Sequence, residues 1–181
     1  RGADRRVTAL ALRHLAPKQV KKVALCGAGG QAERQLQAVL LALPQAEEIA
    51  IWSRGNERNK RLAQRFQADI RPLLRPVERL EEAVDGADVI IAATSAAAPY
   101  LTPECVRSAS LYCHIGFHEI SREQWMHFPI LWRTHGRKPN MSAASPCFGI
   151  PGGKPGRGAG YGNIGGCNFR AASVPRGRRT K

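Results

Sequence analysis

Lys22-Val23-Ala24-Leu25-Cys26 runs straight into Gly27-Ala28-Gly29-Gly30-Gln31-Ala32, and the reading of this stretch decides the fold. The first run is short, apolar and closed by glycine, which suits a buried strand. After the glycines, Leu36, Val39, Leu40 and Leu43 recur on one helical face and Pro44 stops the pattern, so 30–43 reads as a helix. Gly27 permits the tight turn between them, Gly29 lets backbone approach a pyrophosphate, and the small Ala32 lets helix pack against strand. The helix start also offers free N–H groups and the positive end of its dipole to phosphate. A G-x-G-x-x-A spacing is weak alone, but set between a strand and a helix it is a dinucleotide-binding fingerprint.

Outward from that unit, strand and helix patterns alternate, the mark of a parallel sheet covered by helices. Residues 3–15 read as a helix with Val7, Leu10, Ala11 and Leu15 at helical spacing. Residues 48–53 form the second strand, and Asn56 is placed to cap a helix to about Gln67 with Glu57 in its first turn. Further strands are expected at 70–74, 88–93, 111–115 and 129–132, with helices at 76–84 and 121–127. Short connections in this order predict an α/β, Rossmann-type doubly wound parallel sheet with helices on both faces.

The chain of 181 residues suits one domain with an attachment. The pattern stops near Lys138, dividing a dinucleotide-binding domain (1–138) from an irregular tail (139–181). The formal net charge of +14 invites a nucleic-acid reading, but its distribution argues against one. Up to Trp132 there are 18 basic against 14 acidic residues; from Arg133 onward there are 10 basic residues and no acid. A tail rich in Gly and Arg that buries little is expected to be disordered. Two readings of it stand, an RNA-binding tail and a non-native end, and the break in composition favours the second.

Cys26, Cys105, Cys113, Cys147 and Cys167 are spread out, odd in number and without a CxxC pair, so no metal site or disulfide framework is expected. Reduced thiols point to a cytoplasmic protein. No run nears the roughly 18 apolar residues needed to span a bilayer.

The tip of the second strand sets cofactor choice. NAD-preferring sites place Asp or Glu there to hold the ribose 2′-hydroxyl, whereas this chain reads Trp52-Ser53-Arg54-Gly55-Asn56-Glu57-Arg58. Ser53 can donate a hydrogen bond, and Arg54 with Arg58 can pair with a 2′-phosphate through planar guanidinium groups. The expected cofactor is therefore NADP(H), with NAD less suited. Ligands of such sheets bind outside the carboxyl ends of the strands. Thr94, Ser95 and Ile115 should accordingly flank the ribose and nicotinamide. The predicted cofactor set is Gly27, Ala28, Gly29, Gly30, Gln31, Ala32, Ser53, Arg54, Arg58, Thr94, Ser95 and Ile115. His114, His118 and Glu119 form a titratable cluster on the same side. A surface loop is the preferred reading of it, with Glu119 the one carboxylate placed for acid–base work.

With these residues in view, the sequence resembles the ornithine cyclodeaminase/mu-crystallin family. The resemblance rests on Gly27 to Ala32 with its Gln31-Ala32, and on the preceding helix from Arg1 to Ala16. Ile51 to Arg54, Glu82 to Asp88, Ala93 to Ser95 and Pro99 to Leu101 are similar to later blocks, so the likeness covers about 1–141. Shikimate dehydrogenases share a G-A-G-G turn and an arginine at the second strand tip, and stand as a rival.

The resemblance implies a two-domain, usually homodimeric enzyme such as a ketimine reductase, an amino-acid dehydrogenase or a cyclodeaminase. Such enzymes exchange hydride between a nicotinamide and a carbon bearing an amine or imine, on a small amino or imino acid. The family's segment for substrate and dimer contacts precedes the dinucleotide-binding part, and this chain is expected to begin at the joining helix. Cyclodeaminase-type members also carry an aspartate after the fifth strand, where this chain has His114-Ile-Gly-Phe-His-Glu119. Gly153 to Arg157 is similar to a short family stretch, and its surroundings are not. Two alternatives remain: a non-catalytic dinucleotide-binding protein, and a nucleic-acid binder acting through the basic tail.

Overall fold

The computed structural model describes residues 3–68, 70–106, 108–116 and 118–121, together with strands at 131–133, 161–164 and 167–170. Two compact units divide the chain at residue 134.

The first unit opens with α1 (Ala3–Leu15), β1 (Lys22–Cys26), α2 (Gly30–Ala42), β2 (Glu48–Trp52) and α3 (Asn56–Gln67). β3 (Leu73–Val77), α4 (Leu80–Val84), β4 (Val89–Ala92), β5 (Leu111–His114) and β6 (Leu131–Arg133) follow. Its six strands are all parallel, in the order β3-β2-β1-β4-β5-β6. This is the doubly wound arrangement expected from the alternating pattern. β1 lies at its centre, paired with β2 on one side (Val23 against Ile49) and β4 on the other (Val23 against Val89). The chain reverses its direction of travel between β1 and β4, so a crevice opens at their carboxyl ends.

Burial follows strand alternation. Ala24, Cys26, Ala50, Ile90, Ala92 and Tyr112 share one apolar cluster with Ala83 and Val84 of α4. The intervening Val23, Leu25, Ile49, Ile51, Val89 and Ile91 point to the opposite face and are equally sealed. Each large aliphatic side chain so buried contributes roughly 1.5–3 kcal/mol. At the opposite end from the crevice, Asp88 Oδ2 accepts from the backbone N–H of Lys21 (2.7 Å) and Lys22 (3.0 Å). Lys22 Nζ donates to the carbonyls of Glu82 (3.0 Å) and Asp85 (2.7 Å) at the end of α4. These bonds pin β1, β4 and α4 together below the site.

Several boundaries differ from expectation. The third strand lies at 73–77, not 70–74, and Pro76 sits inside it instead of opening a helix. β3 is an edge strand, where a missing N–H is tolerated. Gln67 also spans the preceding turn, donating to Pro72 O (3.1 Å) and accepting from Leu74 N (2.6 Å). α4 is correspondingly short, 80–84. Asn56 is not a cap: Gly55 holds the N-cap position of α3 in an extended conformation, and Asn56 is the first helical residue. The last strand of the sheet is 131–133, and the helix expected at 121–127 lies outside the described residues beyond Ser121.

In the second unit, β7 (Tyr161–Ile164) and β8 (Cys167–Arg170) pair antiparallel, Tyr161 opposite Arg170. The sequence reading placed no element there.

Candidate functional site

The glycine turn is built around contacts that exclude a side chain. Gly27 has φ +129°, a conformation that L residues rarely adopt. A Cβ there would overlap Ala93 O and stand 2.9 Å from the Ala93 carbonyl carbon. Gly27 N donates to Trp52 O (2.6 Å) and Ala93 N to Cys26 O (2.7 Å), tying the tips of β2, β1 and β4 at the crevice. Gly29 is the N-cap of α2, and the first bond of the helix is Glu33 N to Gly29 O (3.0 Å). The N–H groups before it have no partner inside the helix. A Cβ at Gly29 or Gly30 would meet nothing within 4 Å. The space over this helix end is open to an approaching anion.

A cleft of about 1110 Å³ lies across these tips. Of the predicted cofactor residues, Gly27, Ala28, Gly29, Gly30, Gln31, Ser53, Arg54, Arg58, Thr94, Ser95 and Ile115 all line it. Ala32 does not; it is fully buried beneath, where its Cβ packs below Gly27. Arg54 and Arg58 are exposed at the β2 end of the cleft. No carboxylate lines the cleft among the described residues.

Sequence reasoning missed several lining residues. Trp52 and Tyr100 lie with ring centroids 5.2 Å apart, tilted by 38°, and form an aromatic wall. Ala96 to Pro99 complete it with small and apolar groups. Tyr100 follows an Ala-Ala-Ala-Pro stretch that carries no periodic signal. Asn59, which the sequence reading did not single out, is fully buried. Its Nδ2 donates to Val77 O (3.1 Å), and Ser53 Oγ bonds to its Oδ1 as well as lying 3.1 Å from Gly55 O.

The titratable cluster after β5 is not a surface loop as expected. His118 is exposed, but His114 and Glu119 are fully buried. The chain turns back after Gly116 so that the Glu119 carboxyl reaches under the tip of β4. Its Oε1 accepts from Thr94 N (3.2 Å) and Thr94 Oγ1 (3.1 Å), and Thr94 Oγ1 lies 3.3 Å from Tyr100 OH. Its Oε2 lies 3.5 Å from His114 Nε2, and His114 Nδ1 is 3.0 Å from Tyr112 OH. A polar chain thus runs from cleft-lining Tyr100 and Thr94 into the sheet. Burial pushes the Glu119 carboxyl above its ordinary value, against the hydrogen bonds from its own backbone and Thr94 and the charge of His118. Burial likewise raises the Tyr112 hydroxyl and the Cys26 thiol, with the Glu119 charge adding to each, and pushes Cys113 up to about 12. These thiols are protonated and shielded, and carry no nucleophilic chemistry.

Against known proteins, the model of the ornithine cyclodeaminase/mu-crystallin family matches residues 4–135. The chain belongs to that family. Ketimine reductase mu-crystallin of Macropus fuliginosus is 32% identical over 119 residues, 66% of this chain and 35% of that protein. N-((2S)-2-amino-2-carboxyethyl)-L-glutamate dehydrogenase of Staphylococcus aureus is 26% identical over 119 residues, 65% of this chain and 35% of that protein. Among solved structures, Delta(1)-pyrroline-2-carboxylate reductase of Thermococcus litoralis, in complex with NADH and L-proline, is similar with a TM-score of 0.58. It is 26% identical, covering 62% of this chain and 35% of that one. The chain therefore spans about 35% of the length of the curated relatives it matches.

No helix among the described residues is long and apolar enough to cross a membrane.

Proposed function

We propose that this chain is the NADP(H)-binding part of an amino- or imino-acid oxidoreductase of the ornithine cyclodeaminase/mu-crystallin family. One observation carries the reading. The open helix end at Gly29 and Gly30 and the exposed guanidinium groups of Arg54 and Arg58 line the same cleft. A pyrophosphate fits the former, where backbone N–H groups and the helix dipole favour an anion. A 2′-phosphate fits the latter, where Arg presents a rigid fork of donors.

When bound, the nicotinamide supplies hydride exchange with a carbon bearing nitrogen. This chain's residues would position it: Thr94, Ser95 and Ile115 line the cleft at the tips of β4 and β5, where they would flank the nicotinamide. Glu119 acts through Thr94, holding both its N–H and its hydroxyl. It is buried away from the cleft, and its part is that of a positioning residue. Orientation of this kind is worth several kcal/mol in hydride transfer.

The relatives named above act on small amino- or imino-acid derivatives by their names, and that is the substrate class proposed for the whole protein, as a homodimer in the cytoplasm. Fluorescence titration of the chain with NADPH and NADH tests the reading. NADPH binding tighter than NADH by tenfold or more is expected, and equal affinity would sink the role given to Arg54 and Arg58.

A further inference from the structure

We propose that Asn59 holds the Ser53 hydroxyl as a hydrogen-bond acceptor toward the cleft. The β2 tip then reads a ribose 2′-hydroxyl through Ser53 and a 2′-phosphate through guanidinium groups alone. The proposal rests on the dinucleotide reading above and deepens it, naming the groups that tell the two cofactors apart.

The argument is one of counting protons. A serine hydroxyl has one hydrogen to donate and lone pairs to accept with. Ser53 Oγ faces two oxygens, Oδ1 of the fully buried Asn59 and O of the exposed Gly55, the latter at 3.1 Å. Both are acceptors only if the Asn59 amide stands as found, and Val77 requires that it does. Val77 O, 3.1 Å from Asn59 Nδ2, cannot donate, so the amide nitrogen must face it and the amide oxygen must face Ser53. Turning the amide over would set two carbonyl oxygens against each other around a side chain that is fully buried, leaving polar groups unsatisfied at high cost.

Gly55 O can bond to water and buried Asn59 Oδ1 cannot, so the Ser53 proton is directed inward to Asn59 and the hydroxyl offers lone pairs to the cleft it lines. A ribose 2′-hydroxyl can donate to those lone pairs. Phosphate oxygens are acceptors themselves and gain nothing from them. This reverses the sequence expectation that Ser53 donates a hydrogen bond there, and leaves the phosphate to Arg54 and Arg58. The site then retains some affinity for the cofactor without the phosphate, through a contact that the phosphate-bearing one does not use.

The test is a set of NADH and NADPH titrations of the full chain carrying Ser53→Ala, Asn59→Ala or both, each first checked for folding by circular dichroism. Loss of one neutral hydrogen bond should weaken NADH about fivefold in Ser53→Ala while NADPH is unchanged. Asn59→Ala should move the NADPH-to-NADH ratio in the same direction, and the double variant should move it no further than Ser53→Ala alone, since the two act as one unit. A purely structural part for Asn59 would lower both affinities together and leave the ratio still. If Asn59→Ala does not fold, Ser53→Ala decides alone. Ser53→Ala weakening NADPH more than NADH, weakening both equally, or changing neither overturns the proposal. A wild-type chain that binds neither dinucleotide overturns the cofactor reading itself, a distinct result.

Discussion

Gly116 lacks a side chain where Glu119 needs the space. A Cβ on Gly116 would overlap Glu119 Oε1, stand 2.5 Å from Glu119 Cδ and lie 2.6 Å from Thr94 O. The glycine at the tip of β5 is thus what lets the carboxyl three residues later fold under β4 and hold Thr94.

Gly116→Ala should accordingly push the carboxyl out of its place. Overpacking of this kind costs about 1–3 kcal/mol, read as a lowered urea midpoint with unchanged slope. Removing the carboxyl in a Gly116→Ala/Glu119→Ala double variant should recover part of that loss, because the methyl then has somewhere to go. Thr94 O is backbone and cannot yield, so recovery stays incomplete. Strictly additive losses would show that the two residues do not share the space.

Glu119 should also leave a signature in the pH dependence of stability. Its carboxyl is raised by burial in the folded protein above the ordinary value of 4.5. In the window between those two values the folded state binds more protons than the unfolded one. The stability it confers is therefore complete below the unfolded value and is lost as pH rises through the folded one. Glu119→Gln keeps an acceptor for Thr94 and cannot ionise, so its stability relative to wild type should climb with pH above about 4.5. The groups facing Glu119 are His118 on its own loop, His114 and Tyr112 on β5, Cys26 on β1 and Tyr100. His118 opposes the rise, so His118→Ala should strengthen the effect. Parallel stability curves for wild type and Glu119→Gln would remove the titration of Glu119 from the account.

How much of this was legible in the sequence depends on range. β1, the glycine turn and α2 declare themselves because apolar run, turn residues and helical face are adjacent in the chain. β3 was misplaced because Pro76 was taken to open a helix, and only the sheet order shows that β3 is an edge that tolerates it. Asn59 was readable in principle: with Leu62, Ala63 and Phe66 it falls on one face at helical spacing, and three of those four are buried or nearly so. The burial of Glu119 was not readable. No spacing rule says that the chain after β5 turns back beneath β4, and a His-Glu pair near a glycine looks like a solvated loop.

Arg54→Ala should separate the two cofactors. Charge-assisted bonds from guanidinium to phosphate are roughly twice as strong as neutral ones, and solvent exposure at this site discounts them. NADPH affinity should fall about tenfold with NADH nearly unchanged, and Arg58→Ala should act in the same direction more weakly. Raising salt should erode NADPH binding more than NADH binding, as screening reaches exposed charges first. A uniform loss for both cofactors in Arg54→Ala would mean that this guanidinium does not read the phosphate.

The glycines of the turn should divide fold from binding. Gly27 has a positive φ and backbone oxygen of Ala93 in the place of a Cβ, so Gly27→Ala combines backbone strain of about 1–3 kcal/mol with an overlap that no rotamer relieves. It should lower stability by ~2 kcal/mol or more and abolish dinucleotide binding as the tips of β1 and β4 part. Gly29 has φ −94°, which alanine adopts freely, and open space above it. At the N-cap alanine is less favourable than glycine, so Gly29→Ala should cost about 0.5–1 kcal/mol, well short of Gly27→Ala. Its methyl nevertheless stands at the helix end where a pyrophosphate would have to approach, so NADPH and NADH should both weaken, by about tenfold or more. Thermal melts paired with titrations on the two variants check this directly. A Gly29→Ala chain that keeps both its stability and its full affinity would move the pyrophosphate away from the α2 end, and with it the whole placement of the cofactor.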